Sequence, residues 1–232
     1  MGSELRILEP KGQFHNLQRD FRAAWDGIAA NPSRDIGRGN FLFGFLATLL
    51  LEWTCRLCET SSRRRELLRG LAIALHEKDR RYFTLLPMPR VKPTRKGFSL
   101  PSMPKQRGTP LLWPLFVLIR NGLAHYYQQL PGWLADARYL WISLGGPGHG
   151  DTFDDREQRR DEHLTFCEYR ADRNVGLRVW PHLLFSDVCD AVHQSDILSV
   201  CTKHKLKEER LDAVPSELLE ALASAGHGTF TE

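Results

Sequence analysis

Residues 41–58 read FLFGFLATLLLEWTCRLC, and this run decides how the chain folds. It is apolar on nearly every side of a helix until Glu52, whereas a surface helix is apolar on one side only. Glu52 and Arg56 arrive well before the ~20 apolar residues that a membrane-crossing helix needs. The run therefore predicts a buried helix at about residues 41–60, central to a helical bundle, with Asn40 as its N-cap.

The segments on both sides of this run have helical periodicity. The preceding segment, LQRDFRAAWDGIAA, repeats its apolar residues every three or four positions, at Leu17, Phe21, Trp25 and Ile28. After the central run, Ser61 or Ser62 precedes a third helix whose inward-facing residues are Leu67, Leu68, Leu71 and Leu75. Apolar residues at this spacing form one side of an amphipathic helix, so the first half of the chain predicts several helices packed together.

The composition is ordinary for a soluble globular protein. The chain has 232 residues, of which 42% are hydrophobic and 26% charged, and its net charge is +4. This length is enough for one sizeable core, or for one domain with an appended element. The five cysteines are an odd, scattered set, and no secretory signal precedes them, which favours free thiols in a reducing cytoplasm. The mild positive charge permits an anionic partner without requiring one.

Residues 85–110 form a long basic segment that interrupts the helices. They contain six prolines, six Lys or Arg residues and no Asp or Glu. Prolines at this density exclude a helix or a central strand, so the segment predicts a loop. It is either a solvated connector or a mobile arm that contacts phosphates through charge. In the second case the contacting residues are Arg90, Lys92, Arg95, Lys96, Lys105 and Arg107.

A fourth helix is predicted over residues 111–129, LLWPLFVLIRNGLAHYYQQ. At about 100° per residue its core stripe consists of Leu112, Leu115, Phe116, Ile119, Leu123 and Tyr126. Arg120, Asn121 and His125 lie away from that stripe, beyond the apolar residues Trp113 and Val117 of the same second side. A helix that is apolar on two sides at its start needs a second packing partner, which a symmetric homodimer would provide.

The hexapeptide RNGLAH at 120–125, followed by Tyr126, resembles the Arg-x4-6-His motif of the HEPN superfamily (higher eukaryotes and prokaryotes nucleotide-binding domains). In that family an asparagine often follows the arginine, as Asn121 does here. The resemblance covers about residues 12–130, and it implies a mainly α fold, an antiparallel helical bundle with the motif on a late helix. It also implies a metal-independent endoribonuclease that acts on RNA as a homodimer, with a composite site across the two-fold axis.

The resemblance assigns roles that the chemistry of the side chains supports. RNA cleavage requires a deprotonated 2′-OH, a stabilised phosphorane and a protonated 5′-oxygen. Histidine transfers protons near neutral pH, which suits His125, and the permanent cation of Arg120 suits the phosphate. Asn121 would position the scissile phosphate or hold the histidine, and Tyr126 and Tyr127 would support the site. No cofactor or metal is expected, and the product would be a 2′,3′-cyclic phosphate.

Two further expectations rest on the family alone. The setting would be a toxin, stress or phage-defence system, in which a protein regulator or antitoxin is a second partner. The alternative function is a non-catalytic HEPN-like module. In that case Arg120 and Asn121 would stabilise the dimer interface, and the basic segment would bind a nucleotide, RNA or an acidic protein.

The sequence divides at about residue 135 into a helical bundle, 1–135, and an appended element, 136–232. YLWISL, LTFCEYRA and VGLRVWPHLLF are short and rich in β-branched and aromatic residues, which predicts a small antiparallel sheet before the C-terminal helices. Ser186 is expected to cap a helix, and another is expected to begin near Pro215.

Two groups of metal-ligand residue types are expected to have no metal. The loop between the first two strands is highly charged and predicted to be flexible, so its five candidate ligands are assigned to a solvated loop: His149, Asp151, Asp154, Asp155 and His163. Cys55 and Cys58 form a CxxC inside an apolar helix, where two buried thiols are favoured over a zinc site. The glycine-rich GGPGHG of the loop lacks the Lys-Ser/Thr of a P-loop.

Overall fold

The structure, a computed structural model, describes residues 10–31, 39–86, 109–121, 123, 132–133, 139–148, 150–169 and 174–201. The fold is mainly helical with a small sheet. The α-helices are α1 (Pro10–Ala30), α2 (Asn40–Thr60), α3 (Arg64–Lys78), α4 (Leu112–Leu115), α5 (Pro181–Gln194) and α6 (Ile197–Cys201). A π-helix, Phe116–Asn121, continues α4, and two 3-10 helices span Arg80–Phe83 and Phe153–Arg159.

The core is built around α2, as the apolar run at 41–58 predicted. Its residues Phe43, Ala47, Leu50 and Leu51 are buried. It packs against α3 on one side and α5 on another, and it also contacts the π-helix. The described residues of the predicted bundle and of the predicted appended element contribute to one hydrophobic core.

Strands occupy two sheets. β1 (Leu85–Leu86) pairs with β2 (Thr109–Pro110) in a two-stranded antiparallel ladder. The second sheet has the order β3-β4-β6-β5, and its strands are β3 (Gly132–Trp133), β4 (Tyr139–Leu144), β5 (Thr165–Tyr169) and β6 (Asn174–Val179).

The prediction of a purely antiparallel sheet was wrong, because β4 and β6 are parallel. The segment between β4 and β5 is long and bound to the helices, and β5 does not pair with β4. A space one strand wide separates the two. β6 then returns antiparallel to β5 and fills the gap, pairing Ile142 with Leu177 on one side and Leu177 with Phe166 on the other.

The charged segment after β4 is not the flexible loop that was predicted. It contains the 3-10 helix Phe153–Arg159 and is hydrogen-bonded to α1. The indole N–H of Trp25 donates to the Asp151 carbonyl at 2.9 Å, and the Phe153 amide donates to the Asp26 carboxylate at 2.6 Å. These bonds compensate for burying part of a polar segment, which is why it can pack on the core.

Three predicted helix starts differ from the observed ones. The N-cap of α2 is Gly39, in the left-handed region at φ 64°, and the amide of Asn40 instead donates to the Leu144 carbonyl at 2.9 Å. The N-cap of α3 is Arg63, whose backbone amide donates to the Ser61 hydroxyl. The helix predicted to start after Ser186 begins at Pro181, because proline is well suited to the first helical position. The helix expected near Pro215 lies outside the described residues.

Candidate functional site

The described residues around the RNGLAH motif, 111–121 and 123, depart from the predicted continuous α-helix. They are α-helical over Leu112–Leu115 and π-helical over Phe116–Asn121, and Leu123 is α-helical again. Four predicted core residues are buried, Leu112, Leu115, Phe116 and Ile119. Leu118, which an α-helical wheel places off the stripe, is buried too, because a π-helix has a wider turn. π-Helical turns are rare and frequently lie at functional sites.

Arg120 stands on the last turn of this π-helix and is bound to α2. Its Nε donates to Glu52 Oε2 at 2.6 Å and its Nη2 donates to Glu52 Oε1 at 3.1 Å. This is the bidentate geometry in which a guanidinium and a carboxylate interact most strongly. The Arg120 side chain is 21% exposed and that of Glu52 is 11% exposed. The second packing surface that the motif side of the helix requires is thus supplied in part by α2 of the same chain.

Glu52 receives a second arginine from its own helix. Arg56, one turn later on α2, donates to Glu52 Oε1 through Nη2 at 2.6 Å and through Nε at 3.0 Å. Burial alone would raise the pKa of Glu52, but the hydrogen bonds and positive charges of Arg120 and Arg56 outweigh burial and lower it. Glu52 is therefore ionised at neutral pH, and one carboxylate holds two guanidinium groups at the start of the motif.

Sequence reasoning did not assign Glu52 a role in the site. The available signal was its position as the single carboxylate in the apolar stretch from Phe41 to Cys55. A carboxylate inside a core helix must be paired, because an unpaired buried charge is too costly to keep. The sequence does not show which cation pairs with Glu52. The contact between Glu52 and Arg120 joins residues 68 positions apart, and no local spacing predicts it.

The remaining predicted site residues lie where the structure gives no side chain. For Asn121 only the backbone is described, and His125, Tyr126 and Tyr127 are outside the described residues. The same holds for the six predicted RNA-binding residues, Arg90, Lys92, Arg95, Lys96, Lys105 and Arg107. Of the predicted catalytic set, the structure gives the side-chain position of Arg120 alone, and the roles of all three residues stay predictions.

A second polar cluster consists of the buried residues Tyr82, His163 and Asp187 and the partly exposed Arg160. The backbone amide of Trp180 donates to His163 Nδ1 at 3.0 Å, so the neutral ring carries its proton on Nε2. That nitrogen lies 2.9 Å from the Tyr82 hydroxyl, which donates to Asp187 at 2.8 Å. Arg160 closes the cluster by donating to both oxygens of Asp187, at 2.7 and 2.8 Å.

This cluster corrects the assignment of His163 to a solvated loop, since its side chain is fully buried. Burial, together with the positive charge of Arg160, lowers the pKa of His163 to about 3. His182, at the start of α5, is also buried, and burial together with the charge of Arg156 lowers its pKa to about 3. Because Tyr82, His163 and Asp187 are each at most 1% exposed, the cluster joins the sheet to the helices rather than receiving a substrate.

The structure describes the two groups of metal-ligand residue types except for His149. Within the described ranges, no three His, Cys, Asp or Glu side chains are grouped closely enough to hold a metal ion. Cys55 and Cys58 are buried free thiols, as expected of core residues. Burial and the proximity of Cys201 raise the pKa of Cys58 to about 12, so this thiol is protonated and unreactive at neutral pH.

One side of α2 remains exposed although the helix is central. Phe41 and Leu42 are 57% and 53% exposed, and Leu49, two turns after Leu42, is 36% exposed. In the described part of the chain α2 alone is long and apolar enough to cross a membrane, yet most of that stretch is buried inside the protein. An apolar strip that leads along α2 to Glu52 thus borders the Arg120 site.

Comparison with protein-family models, with curated proteins and with solved structures finds no match for this chain. The similarity to the HEPN superfamily therefore rests on the RNGLAH hexapeptide and the helices around it.

Proposed function

We propose that this chain is a metal-independent endoribonuclease that cleaves single-stranded RNA at a HEPN-like site. The observation that carries the proposal is the arginine of the motif, Arg120, held by Glu52 on a π-helical turn. A bidentate carboxylate fixes the plane of the guanidinium before substrate arrives. Preorganised charge of this kind contributes most where negative charge develops in a transition state.

The proposed reaction is an intramolecular transesterification. His125 removes the proton of the 2′-OH, and the resulting oxygen attacks the adjacent phosphorus and forms a new P–O bond. Arg120 stabilises the negative charge of the phosphorane, and Asn121 orients the scissile phosphate. The bond from phosphorus to the 5′-oxygen then breaks, and that oxygen takes up the proton that His125 removed from the 2′-OH. The products are a 2′,3′-cyclic phosphate and a 5′-hydroxyl, and the step needs neither metal nor cofactor.

A homodimer is part of the proposal. The apolar strip formed by Phe41, Leu42 and Leu49 runs along α2 toward Glu52 and suits a two-fold contact between equivalent helices. Such a contact would bring two Arg120 sites together. The cytoplasm is the proposed location, and a toxin, stress or phage-defence role with a protein regulator or antitoxin follows from the family resemblance.

The second candidate function is a non-catalytic module that binds RNA, a nucleotide or a protein. The observation that favours it is the same ion pair. An arginine whose guanidinium is already bound by Glu52 is explained by a structural role alone, in which it joins α2 to the π-helix. In that reading Glu52 and Arg120 stabilise the fold, and the basic segment at 85–110 makes the contacts with the partner.

One experiment separates the two functions. Purified wild type, His125→Ala and Arg120→Lys are incubated with mixed single-stranded RNAs in EDTA, and the products are tested for a 2′,3′-cyclic phosphate. A nuclease cuts in EDTA, loses at least about a hundredfold in rate in His125→Ala, and keeps its oligomeric state. Arg120→Lys retains the positive charge but loses the bidentate geometry, so it should fold and cut slowly. RNA that stays intact with wild type, or equal cleavage by His125→Ala, supports the non-catalytic module.

A further inference from the structure

Most arginines in the described part of the chain are ion-paired, and the exceptions are grouped. Eleven of the fourteen arginines in the described ranges lie within 4.0 Å of a carboxylate oxygen. The three that make no ion pair with a described residue are Arg65, Arg69 and Arg80. All three belong to α3 or to the 3-10 helix that follows it, and all three are exposed.

Two of these arginines, Arg65 and Arg69, form a straight stripe with His76 along one side of α3. At about 100° per residue, Arg69 lies about 40° and His76 about 20° around the axis from Arg65. The three residues therefore line up over about 16 Å at 1.5 Å per residue. Arg80 follows directly beyond the end of α3, and the exposed side chain of Ile73 borders the stripe. We call Arg65, Arg69, His76 and Arg80 the α3 stripe.

Within the described ranges, the neighbouring carboxylates of α2 and α3 do not neutralise the α3 stripe. Glu66 is bound to Arg63, and Glu59 at the end of α2 is bound to Arg64. Glu77, the other acidic residue of α3, lies about 120° around the helix axis from Arg65. The stripe therefore presents uncompensated positive charge to solvent.

The charge distribution of the whole sequence points to a polyanionic partner. Residues 61–110 contain thirteen Lys or Arg and three Asp or Glu, although the net charge of the chain is only +4. The α3 stripe is the described, helical part of this basic region. A protein that concentrates its positive charge on one side gains affinity for nucleic acid from the release of counterions.

We propose that the α3 stripe binds the phosphates of single-stranded RNA outside the Arg120 site. Arg65 and Arg69 are one helical turn apart, about 6 Å along the axis, and each contacts a different phosphate. Ile73 and the imidazole of His76, which is 5.6 Å from the Phe83 ring, offer an apolar surface beside them for sugars or bases. α2 packs against both α3 and the π-helix, so it connects the element that carries the stripe with the element that carries Arg120. The inference rests on the proposed function in that RNA is the substrate.

The test measures RNA binding with cleavage switched off. A fluorescein-labelled 20-nucleotide oligouridine is titrated with the His125→Ala chain in EDTA at several salt concentrations, and anisotropy gives the affinity. The double variant Arg65→Ala/Arg69→Ala is compared in the same background. Loss of two phosphate contacts lowers the slope of log K against log salt by about 1.4 for a single strand. Affinity at low salt is then expected to fall about tenfold or more.

A matched control removes the same amount of charge elsewhere. Arg19→Ala/Arg178→Ala deletes two exposed arginines that are already ion-paired, on α1 and on β6. This control is expected to keep the salt slope of the parent to within about half a unit, because neither arginine meets a phosphate. Circular dichroism and urea unfolding of both double variants establish that they fold alike.

Three outcomes overturn the inference or separate it from the proposed function. An unchanged salt slope in Arg65→Ala/Arg69→Ala overturns it, as does an equal loss in the control. Polyglutamate that binds the stripe while oligouridine does not assigns the surface to an acidic protein and also overturns it. Stripe-dependent RNA binding by a chain that cuts no RNA supports the inference and contradicts only the nuclease proposal.

Discussion

A single carboxylate, Glu52, determines where the guanidinium of Arg120 lies. Exposed ion pairs contribute up to about 1 kcal/mol, whereas removing one member of a buried pair costs about 3–5 kcal/mol. The Glu52–Arg120 pair lies between these limits because both side chains are largely but not completely covered. The pair therefore stabilises the fold modestly while it fixes the orientation of the arginine.

Glu52→Gln tests this dual role. The amide keeps the shape of the side chain but leaves Arg120 and Arg56 without their counterion, so we expect the free energy of unfolding to fall by about 1–3 kcal/mol. RNA cleavage should fall further than the unfolding data explain, because the guanidinium loses its fixed orientation. The matched control is Glu59→Gln, which is also on α2. It breaks a more exposed ion pair with Arg64 of α3 and should lower the free energy of unfolding by less than about 1 kcal/mol. Equal effects of the two substitutions on unfolding and on cleavage would contradict the positioning role.

The buried histidines His163 and His182 predict a pH dependence of stability. Their pKa values are lowered from 6.5 to about 3 in the folded protein. Between these values the unfolded chain binds protons that the native chain does not, so stability rises with pH and is lost as pH falls below about 6.5. From pH 7.5 to 5.5 each histidine should lower the free energy of unfolding by about 1.4 kcal/mol.

Urea unfolding at pH 7.5 and 5.5 checks the histidine prediction. His163→Gln is expected to be less stable than wild type at pH 7.5. Its free energy of unfolding should fall only about half as much as that of wild type between pH 7.5 and 5.5, because only His182 then remains to titrate. The control His76→Gln removes an exposed imidazole of α3 and should leave the change as it is in wild type. A His163→Gln variant with the full wild-type change would show that His163 is not the titrating group.

At the scale of elements, two glycines with opposite surroundings predict opposite effects of alanine. A Cβ on Gly145, after β4, would lie 2.4 Å from the Trp180 ring, whereas a Cβ on Gly27 of α1 would meet nothing within 4 Å. Gly145→Ala should destabilise by about 1–3 kcal/mol through overpacking. Gly27→Ala should stabilise by up to about 1 kcal/mol, because alanine is the better helix former. Thermal unfolding should show a lower melting temperature for Gly145→Ala and a higher one for Gly27→Ala. An unchanged melting temperature in Gly145→Ala would contradict the close packing of Gly145 against the Trp180 ring.

Local sequence patterns identified the elements that depend on neighbours along the chain. α1 and α3 follow from the three-to-four-residue spacing of the apolar residues around Phe21 and Leu71, and α2 follows from its nearly all-round apolar character. Phe21, Leu50 and Leu71 are all buried. The π-helical turn, by contrast, has the same composition as an α-helix. The parallel pairing of β4 with β6 depends on how the segment after β4 binds to α1, and no periodicity within either strand records that contact.

At the scale of the whole molecule, the site was only partly predictable. The motif singled out Arg120 from its sequence alone, but its partner Glu52 lies 68 residues earlier. The same limit applies to the buried cluster, in which Tyr82 and Asp187 are 105 residues apart. Glu52 was visible as an exception in an apolar stretch, whereas Tyr82, Arg160 and His163 lie in charged segments. In both places only the packing of the elements decides which polar side chains meet.

The exposed strip on α2 predicts the assembly of the whole protein. Wild type should sediment as a dimer, and Leu42→Glu/Leu49→Glu should be monomeric, because two carboxylates per chain would be buried without partners at the two-fold contact. Phe166→Glu is the matched control, since it places a charge at an apolar residue of similar exposure on β5. It should remain a dimer and keep its RNase activity, whereas the α2 variant should lose cleavage if the site is shared between subunits. Sedimentation velocity on all three proteins decides the matter, and a monomeric wild type that still cuts RNA would show that one chain contains a complete site.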